Sequence, residues 1–140
     1  MLGHTAQRRN LEVGLSTMTI GLGVWITFPN VSMSTAAYEQ LLWFASEALW
    51  GLMFMGVGLA QLTAVLINGM RWWTPLSRSL TCALSAVFYA VWAGGFWAVS
   101  PASTAVYTYA AMSALSAWCF YYAVHDAAEK LGPTHARADT

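Results

Sequence analysis

The sequence predicts an all-α polytopic membrane protein, an up-down bundle of four transmembrane helices with both termini cytoplasmic. Three observations carry this. Of 140 residues, 58% are hydrophobic and only 9% are charged, against about 25% charged in a soluble domain. So few charges cannot cover a solvated surface, and lipid has to be the solvent for much of the chain. Four stretches reach the roughly 20 apolar residues that a span needs. Threaded through a bilayer, they place all six Lys and Arg residues on one side, the cytoplasmic one by the positive-inside rule.

The first span covers 11–28, LEVGLSTMTIGLGVWITF, and is closed by Pro29. Arg8, Arg9 and the apolar run, with small residues at Ser34 to Ala36, also fit a cleaved signal peptide. Glu12 at the start of the run and three more spans behind it favour a retained helix. Ser34 or Thr35 is placed to cap the next helix. One helix from Thr35 to Gly69 would be about 50 Å long, well beyond a hydrocarbon core of about 30 Å. Residues 36–47, with Tyr38, Glu39, Gln40 and Trp43, are therefore assigned to an interfacial helix or tilted extension at the outer surface, and the second span to 48–69.

A short MRWWT connection leads to the third span, 76–99, which Pro75 opens. SPAS joins it to the fourth, 102–124. That helix continues in polar form to the Gly132-Pro133 stop, within a polar C-terminal tail, 125–140, whose end is predicted to be disordered. Loops this short force sequential antiparallel neighbours. The chain reads as a single integral membrane domain, 1–140. Aromatics agree with the threading: Trp25, Trp43, Trp97 and Tyr107 fall at the outer ends, and Trp72, Trp73, Trp118 and Tyr121 at the inner ends. Trp50 and Trp92 lie deeper.

Zero net charge without a basic patch argues against nucleic acid as a partner. Cys82 and Cys119 lie in apolar runs, as small buried residues do. His4, His125 and His135 sit near or beyond span ends. No metal ligand set, cofactor motif or catalytic constellation emerges, so the chain is read as non-enzymatic.

The second span carries the most informative pattern. Glu47, Gly51, Phe54, Gly58, Gln61, Val65 and Asn68 recur at spacings of four and three, on one helix face. Polar groups on a lipid-facing stripe would cost a few kcal/mol, so this face is expected to meet another helix or a wet cavity. One reading makes Glu47 a proton or cation site with Gln61 along its path. The other, favoured because no Lys or Arg lies mid-span, leaves Glu47 hydrated among outer headgroups and gives Gln61 a helix-helix hydrogen bond. Small residues mark packing faces. They are Gly56, Ala60 and Ala64 in span two, and Ala86, Ala90 and Gly94 in span three.

The stretch WGLMFMGVGLAQLTAVLINGMRWWTPLSR, followed by an Ala-rich span with a Trp, resembles small four-span proteins of tailed phages and prophages over about residues 43–98. The resemblance implies a viral genomic setting and a holin-like role. The expected function is thus a small inner-membrane protein that self-associates through small-residue helix faces, with the lipid bilayer and further copies as partners. Two alternatives stand beside it: a small transporter or ion-conducting subunit using Glu47 and Gln61, and an accessory subunit of a larger membrane complex.

Overall fold

The computed structural model describes residues 2–28, 36–67 and 74–131. Every regular element among them is a helix: α1 (Leu2–Thr27), α2 (Ala36–Phe44), α3 (Glu47–Leu66), α4 (Thr74–Val99) and α5 (Thr104–Leu131). Asn68, Ser34, Thr35 and the end of the tail from 132 lie outside the described residues. Two described helices, Glu47–Leu66 and Thr74–Val99, are long and apolar enough to cross a membrane by length and composition.

The segment before the second span does not run on as one rod. It breaks after Phe44, and Ser46 takes extended backbone angles, φ −65° and ψ 157°, as the N-cap of α3. Its hydroxyl accepts from the Leu49 amide at 3.4 Å, satisfying one of the unpaired donors of a helix start. The indole Nε1 of Trp50 donates to the Leu41 carbonyl at 2.9 Å and pins α2 to the top of α3. Tyr38 stands edge-on to Phe96, 5.1 Å between centroids, and holds α2 against α4.

The four long helices form two extensively packed pairs, α1 with α3 and α4 with α5. A narrower α3–α4 contact and a slight α1–α5 contact close the ring, which leaves α1 and α4 on a diagonal. The α1–α3 pair is close because glycine permits it. A Cβ on Gly23 would lie 2.6 Å from the Met55 nitrogen, and one on Gly58 would lie 2.9 Å from the Ile20 nitrogen. Gly51, Phe54, Gly58, Gln61 and Val65 are all buried, so the stripe seen in the sequence does face inward.

Two apolar clusters fill the interior. The larger is mostly aromatic and contains Trp50, Phe54, Tyr89, Trp92 and Phe96. Trp92 meets both Phe54, at 5.1 Å and 84°, and Trp50, at 5.8 Å and 82°, edge to face, the arrangement favoured by the ring quadrupole. The smaller cluster joins Leu15, Cys82 and Cys119. The outer surface is also apolar: Met18, Leu52, Leu59, Leu66, Leu76, Leu80 and Val87 are exposed.

Gly58→Ala is expected to lower the melting temperature in detergent by several degrees, because overpacking costs about 1–3 kcal/mol. Gly56→Ala, where nothing lies within 4 Å of the added Cβ, should leave it unchanged or raise it slightly through helix propensity. Equal effects at the two positions would contradict the close α1–α3 approach.

Candidate functional site

On α4, Arg78, Cys82, Ser85, Tyr89 and Trp92 succeed one another at intervals of four and three. Such intervals fall on one face, and all five residues are buried. This face lies along the bundle axis, and other helices bring polar partners to it.

Arg78 is 6% exposed and Glu12, on α1, is 2% exposed. The guanidinium Nε donates to Glu12 Oε2 at 2.9 Å, and Nη2 donates to Oε1. This two-pronged geometry suits a planar guanidinium and a carboxylate. Nη1 of the same arginine lies 3.6 Å from Asp126 on α5, whose side chain is 40% exposed. One cation thus faces two carboxylates from two different helices. At the same end, Arg8 of α1 stacks 3.8 Å above the Tyr122 ring of α5, a cation–π contact across the slight α1–α5 boundary.

Further along the axis, Gln61 of α3 donates from Nε2 to Cys82 Sγ at 3.4 Å and accepts at Oε1 from the Ser85 hydroxyl at 3.1 Å. One turn beyond, the Tyr89 and Thr19 hydroxyls lie 2.9 Å apart. Most of these links join the α1–α3 pair to the α4–α5 pair. Among the described residues, two buried side-chain atoms find no hydrogen-bond partner, Ser116 Oγ and Trp92 Nε1. Such orphans are rare in folded proteins and call for a physical account.

The structure does not bring Glu47 and Gln61 together. Glu47 is half-buried in the first turn of α3, fourteen residues from Gln61, or roughly 21 Å along the helix. Gln61 itself is completely buried and links helices. Gly51 and Gly58 lie in the α1–α3 crossing, and Ala64 is buried. Gly56, Ala60, Ala90 and Gly94 are exposed, and Ala86 is half-buried, its carbonyl accepting from Ser113 Oγ at 2.8 Å.

Sequence reasoning missed Glu12 and Arg78 as a site. It counted Arg78 only among the six basic residues at the cytoplasmic side and saw no Lys or Arg mid-span. The structure places Arg78 in the second turn of α4 with its head turned inward. The signal was present: one acid and one base lay within a few residues of the same end of two predicted spans. Comparison with protein-family models, with curated proteins and with solved structures finds no match to this chain.

Arg78→Gln strands the Glu12 carboxylate in the interior and should cost about 3–5 kcal/mol of stability. The double substitution Glu12→Gln, Arg78→Gln removes both charges and should recover most of that loss. Denaturation in detergent, followed by tryptophan fluorescence, checks the cycle. Additive losses in the double variant would mean that the two side chains are not coupled.

Proposed function

We propose that this chain is a small, non-enzymatic inner-membrane protein that crosses the bilayer four times and self-associates through its outer helix faces. The observation that carries the reading is the inverted distribution of side chains. Glu12, Arg78, Gln61, Thr19, Ser85 and Ser116 are buried, while Leu52, Leu59, Leu76, Leu80, Val87 and Leu115 are exposed. In water such a surface would far exceed the apolar patches that monomers tolerate. In hydrocarbon it is the favourable arrangement, with all of these polar groups but Ser116 paired inside.

The same distribution accounts for α1 and α5, which are less apolar on average than α3 and α4. Their polar side chains Glu12, Ser16, Thr19 and Ser116 are buried, whereas Met18, Val24, Leu115 and Phe120 are exposed. The exposed aromatics Trp25, Trp43, Trp97 and Tyr107 group at one end, and Trp118 and Tyr121 at the other, as in the belts at membrane–water boundaries. Self-association rests on Gly56 and Ala60 of α3 and on Ala90 and Gly94 of α4. All four are exposed, and the spacing lets a second backbone approach closely. The resemblance to small phage proteins gives this assembly its holin-like form, in which oligomers permeabilise the membrane.

In a Cys82→Ser, Cys119→Ser background, Ser100→Cys should react with an impermeant maleimide on spheroplasts, and Met70→Cys only after lysis. The opposite pattern refutes the threading. Crosslinked oligomers of the wild type should disappear in Gly56→Leu or Gly94→Leu, and their persistence in both variants refutes the assigned faces. Expression should collapse the membrane potential if the assembly is holin-like; an intact potential excludes that form.

A further inference from the structure

The ring of long helices is sealed unevenly, and α1 and α5 touch least. Along their seam Leu11 packs with Leu15 and Cys119, while Met18 and Leu115 stand exposed. By helical register Met18 shares a face with Arg8 and Leu11 on α1, and Leu115 shares one with Cys119 and Tyr122 on α5. Arg8 and Tyr122 close one end of this seam, with the guanidinium 3.8 Å above the ring. The ring is itself held edge-on by Trp118, at 5.1 Å and 66°, and by Tyr121, at 5.3 Å and 80°. Both neighbours are exposed, as rings at the headgroup level are. A guanidinium lying flat on a ring keeps its N–H groups in its own plane, open to a fork of phosphate oxygens. Arg8 is exposed, and no carboxylate pairs with it among the described residues. Glu12 and Asp126, the described carboxylates at this end, are both engaged by Arg78. With Arg9 counted, the described charges here are three cations against two anions.

We propose that the Arg8–Tyr122 seat binds the phosphate of an anionic phospholipid, with one acyl chain laid along the α1–α5 seam over Met18 and Leu115. The inference rests on the four-span reading above, in which the seat lies at the cytoplasmic leaflet. Basic pockets between spans at that level hold anionic headgroups. The surplus cation at this end favours a lipid of net negative charge over a zwitterionic one, whose ammonium would meet Arg8 and Arg9 as a like charge. Stacking on Tyr122 fixes the plane of the guanidinium, so little side-chain freedom is left to lose when a phosphate docks. The exposed thioether of Met18 and the Leu115 side chain offer the acyl chain an apolar bed that a free phosphate cannot use. The lipid thereby completes the weakest boundary of the ring, between the α1–α3 pair and the α4–α5 pair. Arg9 is also exposed but points about 100° further round α1, outside the seat.

Native mass spectrometry of the full-length protein in dodecyl maltoside tests this, with phosphatidylglycerol or phosphatidylcholine of the same acyl chains titrated in. Wild type should bind its first phosphatidylglycerol about tenfold more tightly than phosphatidylcholine, the scale of one charge-assisted contact. Arg8→Gln should abolish that preference and Tyr122→Leu should weaken it, whereas Arg9→Gln, which removes the same charge from another face, should keep it. Equal binding of the two lipids by wild type, or a preference that survives Arg8→Gln, overturns the proposal. So do equal losses in Arg8→Gln and Arg9→Gln, which would mean general attraction to a basic surface. A second measurement uses the wild-type protein and so does not depend on the folding of any variant. Glycerol 3-phosphate at the same concentration should leave the phosphatidylglycerol bound, and displacement by it overturns the part given to the seam. The spheroplast labelling of Ser100→Cys reports the threading separately. Correct labelling without lipid preference removes this inference alone, and wrong labelling removes the four-span reading with it.

Discussion

The contact between Glu12 and Arg78 constrains more of this molecule than any other. Removing either ion from water alone costs several kcal/mol, and the cost is offset only when the pair forms with good geometry. Helices α1 and α4 lie on a diagonal, so the two side chains must point at each other across the whole bundle. That requirement fixes how each helix is rotated about its own axis and how far it sits along the other. Once Arg78 points inward, Cys82, Ser85, Tyr89 and Trp92 follow by helical periodicity. Gln61 and Thr19 then meet them because α3 and α1 are already locked together by glycine.

Packing and polarity divide the labour. Within the α1–α3 pair, backbones approach through Gly23, Gly51 and Gly58, and dispersion between closely fitted atoms does the holding. Between the pairs, the aromatic cluster of Trp50, Phe54, Tyr89 and Trp92 is joined by hydrogen bonds and an ion pair, the hydrogen bonds individually modest in membranes at roughly 0.6 kcal/mol for a typical side-chain bond. Close packing has few alternatives, whereas a hydroxyl or guanidinium can exchange one partner for another. Arg78, with Asp126 already 3.6 Å away, has such a second partner at hand. The boundary between the pairs thus combines a packed aromatic end with a polar end at which Arg78 can exchange partners.

Much of the helical layout was legible in the sequence because apolar length, proline and glycine act locally. Pro75 opens α4 and Pro101 follows its end. The inward face of α3 was legible for the same reason, since a periodicity of four and three needs no knowledge of the neighbour. The pairings were not. Glu12 and Arg78 are 66 residues apart, and nothing local states that an arginine near a span end turns inward rather than toward solvent. Glu47 drew attention as the acid beside the longest apolar run, yet the carboxylate that meets a buried cation is Glu12. Trp50 and Trp92 were ambiguous by depth because an indole suits an interface or a core equally well. Their placement depends on Phe54, Phe88 and Tyr109 arriving from three helices. Small residues likewise mark a face as close-packing without naming its occupant, so Gly58 and Gly56 looked alike although one is covered and the other open.

The short helix α2 carries a last consequence. Trp43 at its tip is 83% exposed and Phe44 beside it is also exposed, while Leu41 is bound into the core through Trp50. Bulky rings of this kind prefer the headgroup level, and here they are rigidly tied to the long helices. In the four-span arrangement proposed above, that makes α2 a depth gauge: a bilayer that thins or thickens cannot slide past the rods independently of that float, and must be met by tilting the whole body.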